Sequence, residues 1–420
     1  MTLTSGYRLI DLPRERGREM LEVDQWAFAF AARPDEVELT LDCFPFERGR
    51  AVEIAEPSRV SEASVVAVHS SFDFQMRVPG GGTVATAGLT WVGVHQGHRR
   101  RGLLTAMIAD HFARSRARGE AVSSLYAAEP AIYQRFGYGL ASRDIRLKMS
   151  RKPELRTIPG SDELEVTLET ASLDKHSALI RRFQADFARP GSNATVPEPL
   201  LRNMLVDSES LRESAEPQRI AVVRDGDSVV AWALFRRKAD WNDWDPNGVV
   251  KVPAWGAHTA AATRRLWSVL TDFDLMASTH SWLMAPDDPW IHLLVDERAA
   301  KAEVRDNLWV RVLDVKAALE ARAYEADADV VVDITDQQVP ENAARWRVEI
   351  AGGEARVTPA GDTPADLAMG IQELGAAYLG GTSMEALARA TLVEERTPGS
   401  AHALGRAMLS SLAPICNISF

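Results

Sequence analysis

The sequence predicts an α+β chain of three consecutive units, and three observations carry that expectation. A strand pattern in which Val92 and Val94 alternate with small or polar neighbours passes through Gly102 into Leu103, Leu104, Met107, Ile108 and Phe112 at helical spacing. A polar piece at 151–163, containing Pro153 and Pro159, interrupts the chain, and the strands and helices beyond it faintly repeat the first run. From about residue 304 the pattern changes again, to close-set strands followed by helices. The expected units are therefore 1–150, 151–303 and 304–420.

In the first unit, residues 7–10 read as a short strand and 14–32 as a helix with Met20, Leu21, Trp26 and Phe30 on its apolar positions. Residues 44–55 and 64–78 read as strands, the second rich in β-branched Val65, Val66 and Val68. Pro79 and Gly80 to Gly82 end that run before the central strand begins. After the helix that starts at Leu103, residues 122–127 read as a buried strand, 131–136 as a short helix stopped by Gly137, and 145–149 as the strand that closes the unit.

The second unit shows helices at 174–187 and 199–206, strands at 219–224, 228–237 and 248–255, and a helix at 259–271. Val250 to Trp255 followed by Arg264, Arg265 and Leu266 echoes the central strand and helix of the first unit, but no glycine loop joins them. The reading is a degenerate copy without its anion site, set against an unrelated α+β domain. In the third unit, strands fall at 308–313, 330–334, 346–350 and 355–358, and helices at 371–378, 384–390 and 401–412. Pro414 ends the last helix and leaves 415–420 as a tail.

Composition sets the frame. The 420 residues are 46% hydrophobic, enough for several buried cores. No apolar run approaches the ~20 residues of a membrane span, and the first residues lack a basic stretch followed by an apolar one, so a cytoplasmic location is expected. Cys43 and Cys416 have neither a disulfide framework nor C-x-x-C spacing. A net charge of −11 argues against nucleic acid as the main partner and is compatible with a cationic substrate. There is no H-E-x-x-H and the histidines are scattered, so no metal site is expected.

The junction of strand and helix is where binding is expected. Gly102 lets backbone approach a ligand closely, and the first turn of the following helix offers unpaired N–H groups at the positive end of its dipole. Arg99, Arg100 and Arg101 add fixed charge, and the whole reads as a pyrophosphate cradle. Neither G-x-x-x-x-G-K-[ST] nor a G-x-G-x-x-G after a strand is present, which removes the usual nucleotide readings. What remains, V-x-V-x-x-x-x-R-R-x-G-L-L, resembles the acetyl-CoA loop of the GNAT acetyltransferase superfamily. The resemblance implies acetyl-CoA as cosubstrate, with Val92, Gly93 and Val94 lending backbone groups to its acetyl and pantetheine parts. It further implies that Arg99 to Arg101, Gly102, Leu103, Leu104 and Thr105 hold the pyrophosphate. Leu104 stands where many members have Gly or Ala, and serves if its N–H alone is used.

A second stretch narrows the family. Ile132-Tyr133-Gln134-Arg135-Phe136-Gly137-Tyr138-Gly139 follows the cradle at the expected interval. With a degenerate second copy, and a third segment similar to the sterol-carrier-protein-like fold, the chain resembles the enhanced-intracellular-survival type of GNAT N-acetyltransferase. The resemblance implies tandem GNAT-type domains plus the carrier-like domain. It implies Tyr133 as general acid, the terminal carboxylate of Phe420 as general base, and contacts of Ala128 and Glu129 with the pantetheine arm. The family often has Ser where Ala128 stands, so one hydrogen bond to the cosubstrate is expected to be missing. A homo-oligomer, by resemblance a hexamer, and polyamine substrates such as aminoglycosides or lysine-type amines follow from the same likeness.

The chemistry asks for such groups independently of the family. An alkylammonium titrates near ~10 and must lose a proton before it attacks a thioester. A carboxylate accepts that proton, a phenol protonates the departing thiolate, and strand N–H groups at Val92 or Val94 meet the oxyanion. On the residues alone, a core aromatic with a satisfied hydroxyl is the commoner fate of Tyr133 beside Phe136, and a frayed terminus is the default for Phe420, and it is the family string that reverses both. Asp24, Trp26 and Phe28, together with Phe30, Asp42, Phe44 and Phe46, fit either an acidic aromatic amine pocket or core rings with solvated acids. His95 and His98 flank the loop without an acidic partner at a useful spacing. The rival function is a noncatalytic acyl-CoA or lipid binding or sensing protein, which would need neither Tyr133 nor a free terminus.

Overall fold

The computed structural model describes residues 3, 5–55, 64–209 and 212–420. In the first part of the chain, β1 (Tyr7–Asp11) is followed by α1 (Gly17–Phe28), α2 (Val37–Leu41), β2 (Arg50–Ile54), β3 (Val65–Arg77) and β4 (Thr83–Val94). α3 (Leu103–Ala117) carries the chain to β5 (Val122–Leu125), and α4 (Pro130–Gln134), β6 (Gly139–Leu140) and β7 (Arg143–Ser150) follow. β1 to β4 pair antiparallel in order, and β5 joins β4 in parallel. The expected long helix at the start is shorter, because a 3-10 turn at Arg14–Arg16 precedes it and Ala29 closes it with φ 56°. Residues 44–49 are not strand: Pro45 interrupts any ladder, and Phe46–Arg48 form a 3-10 turn that folds Phe46 against Phe44.

The middle of the chain contains β8 (Glu165–Thr170), α5 (Leu173–Asp186), α6 (Glu198–Leu205), β9 (Arg219–Asp225), β10 (Ser228–Lys238) and a small hairpin, β11 (Trp241–Asn242) and β12 (Asp245–Pro246). It continues with β13 (Gly248–Ala257), α7 (Ala260–Leu270), β14 (Met276–Met284), α8 (Pro289–His292) and β15 (Glu303–Asp306). The last part holds β16 (Trp309–Val312), α9 (Val315–Glu320), β17 (Ala328–Thr335), β18 (Arg345–Ala351), β19 (Glu354–Pro359), β20 (Leu367–Gly370), α10 (Ile371–Ala377), α11 (Met384–Arg389), β21 (Val393–Glu395) and α12 (Ser400–Met408).

These strands form two seven-stranded sheets, ordered β1-β2-β3-β4-β5-β16-β6 and β15-β7-β14-β13-β10-β9-β8, and a five-stranded sheet ordered β19-β18-β17-β20-β21. Two assignments read from the sequence are corrected here. β7 does not close the first sheet. It pairs with β14 and β15 in the second, where Ile145, Leu147 and Met149 enter the core around Trp267 and Trp290. The place in the first sheet goes to β16, paired on one side with β5 and on the other with β6, although it lies in the stretch expected to begin the third unit. All four residues of β16 are buried, as a strand with neighbours on both edges requires. The second sheet is thus built from strands lying between β7 and β15, and the first is completed only when the chain returns to it at β16.

The third sheet is bound to the first through a common core. Met76, Val84 and Val122 from the first sheet pack in one cluster with Val330, Leu374 and Leu404. At this seam Arg311 of β16 is fully buried and its Nη2 reaches both oxygens of Asp336, at 2.7 and 2.6 Å. Asp336 also accepts from the N–H groups of Gln338 and Val339 and from Asn342 Nδ2. A buried pair of this kind contributes little over an apolar filling, but losing one member strands the other charge. Asp336→Ala is expected to lower stability by about 3–5 kcal/mol, read as a lower denaturant midpoint.

Candidate functional site

The parallel ladder between β4 and β5 runs Thr86↔Val122, Ala87↔Ser123 and Gly88↔Ser124, and ends there. β4 continues on its other side, where Ser70↔Thr90 and Val68↔Gly93 pair with β3 across a register shift, and Trp91 takes a left-handed φ of 54°. The backbone edge beyond Gly88 that would have met β5 faces a cleft of about 460 Å³ instead. Leu89 to Val92 form one wall and Tyr126 to Ala128 the other, so the cleft is the wedge between diverging strands. Asp24 and Phe28 of α1 and Tyr133 of α4 also line it, as do Arg146, Asp306, Asn307 and Phe420 from distant parts of the chain.

At the far end of β4 the chain makes a 3-10 turn at Gln96–His98, takes positive φ at Arg100 (60°) and Gly102 (77°), and starts α3. No side chain caps α3, and Ala106 N–H, bonded to Gly102 O at 3.0 Å, makes the first helical bond. The amides of Leu103, Leu104 and Thr105 precede it and have no helical acceptor, which makes an anion-binding helix start. Arg99 to Arg101 and Gly102 are exposed around it. Arg101 Nη1 donates to Tyr7 Oη at 2.7 Å, and that hydroxyl lies 2.8 Å from His98 Nδ1. Burial and the Arg101 charge push the His98 imidazole below its ordinary range, so it braces the loop as a neutral ring. Gly93 is needed for packing: a Cβ there would meet Ala27 Cβ at 3.3 Å, where α1 crosses β4.

Three tyrosines stand near the cleft, and their hydroxyls differ. Tyr126 Oη donates to Cys416 O at 2.6 Å and accepts from Asn307 Nδ2 at 3.1 Å. Tyr138 is fully buried, with its hydroxyl 2.8 Å from Ser123 Oγ. Tyr133 packs edge-on to Tyr138, and among the described residues its hydroxyl has no hydrogen-bond partner. Burial, with a smaller contribution from the Glu129 charge, pushes this phenol up to about 12, so it stays protonated at neutral pH. Ala128 and Glu129 are exposed at the cleft edge immediately before α4.

The tail crosses the molecule to reach the same cleft. Ile418 is buried among Ile180, Phe183, Leu201 and Leu234 of the second unit. The Phe420 ring sits edge-on to Phe74 and Tyr126, with centroids at 4.8 and 5.2 Å. It is therefore docked rather than frayed.

The candidate amine pocket is only partly assembled. Asp24 is buried at the cleft wall with no hydrogen-bond partner among the described residues, and burial alone pushes its carboxyl up to about 7. Phe28 lines the cleft while half exposed. Trp26 does not line it: it is 54% exposed and sits edge-on to His95, because it lies on the outward face of α1. Phe44 packs in the core beneath α1 and α2, with Phe46 against it, and Asp42 pairs with Arg14 at 2.5 Å. Asn307, Arg146 and Asp306 were not legible as site residues, since the sheet pairing that brings them to the cleft leaves no local signal.

The second unit repeats the wedge without the cradle. β13 and β14 are parallel through Val252↔Ser281, and beyond them Pro253, Ala254, Trp282 and Leu283 border a cavity of about 320 Å³. The helix that follows, α7, is capped by its own Thr259, whose Oγ1 accepts from Ala262 N at 3.1 Å. The cap takes one of the amides an anion would use, and no glycine with positive φ or arginine run precedes it. Among the described residues no cluster of His, Cys, Asp or Glu has the geometry of a metal site, and no helix is long and apolar enough to cross a membrane.

Residues 20–141 and 197–312 match two families described as Acetyltransferase (GNAT) domain, and residues 315–417 match a Sterol carrier protein domain. The chain is 36% identical to an uncharacterized N-acetyltransferase of Streptomyces coelicolor, over 96% of this chain and 98% of the relative. It is 33% identical to the N-acetyltransferase Eis of Mycobacterium tuberculosis, over 78% of this chain and 79% of the relative. Among solved structures, Eis1 from Mycobacterium abscessus superposes with a TM-score of 0.78 at 26% identity, covering 99% of this chain and 100% of that one. A GCN5-related N-acetyltransferase from Kribbella flavida gives 0.76 at 26% identity, over 99% and 98%.

Asp24 supplies a test that needs no substrate. Its folded carboxyl holds a proton up to about 7 while the unfolded one lets go near ~4, so the cost in stability is absent below ~4, grows as pH rises between the two values and is full above about 7. Asp24→Asn is expected to raise the melting temperature at pH 8 by roughly 2 °C or more, the gain shrinking toward pH 4. Equal melting temperatures at pH 8 would show that the ionised carboxylate is solvated.

Proposed function

The chain belongs to the GNAT N-acetyltransferases of the Eis type, and from that premise we propose how its cleft works and on what. The cosubstrate is acetyl-CoA, its pyrophosphate on the α3 amides from Gly102 to Thr105 with Arg99 to Arg101 around it. The pantetheine arm runs along Val92 to Val94 and past Ala128 and Glu129, and the thioester lies in the wedge beyond Gly88. The acceptor is a primary amine of a polycationic substrate, an aminoglycoside or a lysine-type amine, drawn toward Asp24 and the face of Phe28 by a chain whose net charge is −11.

In this mechanism the carboxylate of Phe420 takes the proton of the incoming ammonium. The free amine attacks the thioester carbonyl, the oxyanion is met by β4 N–H groups, and the tetrahedral intermediate collapses with Tyr133 protonating the thiolate that leaves. The single observation that carries the reading is that Tyr133, with its uncommitted hydroxyl, and Phe420, the last residue of the chain, line one cleft with the open edge of β4. Such an acid and such a base have no use in a protein that only binds an acyl-CoA or a lipid. By resemblance to the family the proposal extends to a cytoplasmic homo-hexamer, which sedimentation measures directly.

Tyr133→Phe keeps the ring and removes the acid. Its turnover is expected to fall by ~10² or more with acetyl-CoA affinity nearly unchanged, as general acid catalysis contributes ~10² to 10⁴. Retention of turnover within a few-fold would make Tyr133 a packing residue.

Extending the chain beyond Phe420 replaces its carboxylate by a neutral peptide carbonyl. Deleting Phe420 displaces the carboxylate by up to ~3.5 Å. Both changes should collapse acetyl transfer at saturating acetyl-CoA while the fold survives. A fully active tagged enzyme would move the base elsewhere in the cleft.

A further inference from the structure

The tail reaches the cleft without regular secondary structure after α12, so no ladder fixes where it ends. Its position is set by the burial of Ile418, by the bond from Tyr126 Oη to the Cys416 carbonyl, and by two side-chain amides. Asn307 Oδ1 accepts from the Cys416 N–H at 2.9 Å, and Asn307 Nδ2 donates to the Cys416 carbonyl at 3.0 Å. One side chain thus does for Cys416 what an adjoining strand would do. One residue on, Gln184 of α5 and Asn417 exchange amide bonds, Nε2 to Oδ1 at 3.1 Å and Nδ2 to Oε1 at 3.0 Å.

Both clamps are themselves held. Asn307 is 1% exposed and lies between β15 and β16, where the chain returns from the second sheet to the first. Ser142, between β6 and β7, marks the opposite crossing, and its Oγ donates to Asn307 Oδ1 at 2.7 Å while its backbone O accepts from Asn307 N–H at 3.0 Å. Gln184 is buried and also donates to Asn193 O at 2.7 Å. The point of attachment is therefore the seam between the first two sheets, where Asn307 is buried and bonded to Ser142.

We propose that Asn307 and Gln184 are positioning residues that set the Phe420 carboxylate, so that the seam between the first two sheets, together with Gln184 of the degenerate second unit, forms part of the receptor for the chain's own tail. The proposal rests on the reading of that carboxylate as the base. From Cys416 to the terminus the chain spans four further residues, and although Tyr126, Ile418 and the Phe420 ring still hold it, a shift of ~1 Å carried from Cys416 to the terminus is a misplacement that costs as much as 10²-fold in rate. Neither amide touches the pyrophosphate cradle at α3, although Asn307 lines the cleft, so most of the cosubstrate's affinity is expected to survive the loss of either.

The test compares the parent, Asn307→Ala and Gln184→Ala, each untagged and each with a short C-terminal extension. The readouts are kcat at saturating acetyl-CoA, acetyl-CoA affinity by calorimetry, and melting temperature. Asn307→Ala is expected to lose ~10- to 100-fold in kcat with acetyl-CoA affinity held within about twofold, and Gln184→Ala to lose less. The extension, which collapses the parent, should cost Asn307→Ala little more, because the carboxylate is already out of place. Should Asn307→Ala fail to fold, Asn307→Asp keeps the acceptor for Cys416 N–H and lacks the donor to its carbonyl, and the same loss of kcat is expected. Untagged variants with kcat within about threefold of the parent, beside a parent that the extension inactivates, would overturn the positioning role and leave the terminal base standing. Full activity of the extended parent would overturn the base, and the positioning role with it.

Discussion

The end of the β4–β5 ladder at Gly88 is the constraint on which the rest of the site depends. A Cβ at that position would lie 2.2 Å from Phe74 Cε2 and 3.2 Å from Phe420 Cε2, so the last paired residue must be a glycine for the two rings to close over it. Beyond it the strands diverge, and the unpaired edge of β4 borders the cleft rather than burying unsatisfied groups. Phe420 then has a floor to stand on, formed by Phe74 and Gly88, and Tyr126 closes its side. Wedge, ring pocket and docked terminus are one arrangement seen from three directions.

The two related units show what separates a binding wedge from its copy. Each has a parallel strand pair that diverges, and each has a cavity at the divergence. The difference lies in a few atoms at the start of one helix. α3 begins after two left-handed residues, with its first amides unclaimed by any side chain, whereas Thr259 occupies the start of α7 with its own hydroxyl. The first arrangement stores binding capacity for an anion, and the second stabilises the helix locally by about 1 kcal/mol. The tail lies against the copy's cavity through Asn417, Ile418 and Ser419, so the copy's shape has found a structural use.

What was legible in the sequence is what is encoded locally. The cradle could be read because a strand, a glycine with positive φ and an amphipathic helix follow one another without a gap, and each leaves a pattern in its own residues. Tyr133 was reached only through the likeness of its string to a family, since its own surroundings read as those of a core aromatic, and the structure shows it lining the cleft. The sheet membership of β7 and β16 could not, since Ile145 to Met149 alternate just as a strand of the first sheet would, and periodicity does not say which sheet a strand joins. The aromatic residues of α1 were ambiguous for the same reason. Asp24 and Phe28 face the cleft while Trp26 between them turns outward, a distinction set by the rotation of the helix on β4 that composition does not fix.

The cleft's electrostatics bear on why the proposed base is not a side chain. His98 is tied to Tyr7 and held neutral, His95 accepts from Gly97 N–H and lies against Trp26, and Asp306 accepts from the Trp309 indole at 3.0 Å. Asp24 is the remaining acid in the wall, and the burial that lifts its carboxyl to about 7 also disfavours any other isolated charge placed beside it. An ammonium entering that wall faces the same loss of solvent, which lowers its pKa and eases loss of its proton. Asp24 at half ionisation near neutrality offers the cation an anchor that strengthens as pH rises, while removal of the proton needs an acceptor held where the nitrogen meets the thioester. The proposed base, the terminal carboxylate of Phe420, belongs to a residue that lines the same cleft as Asp24.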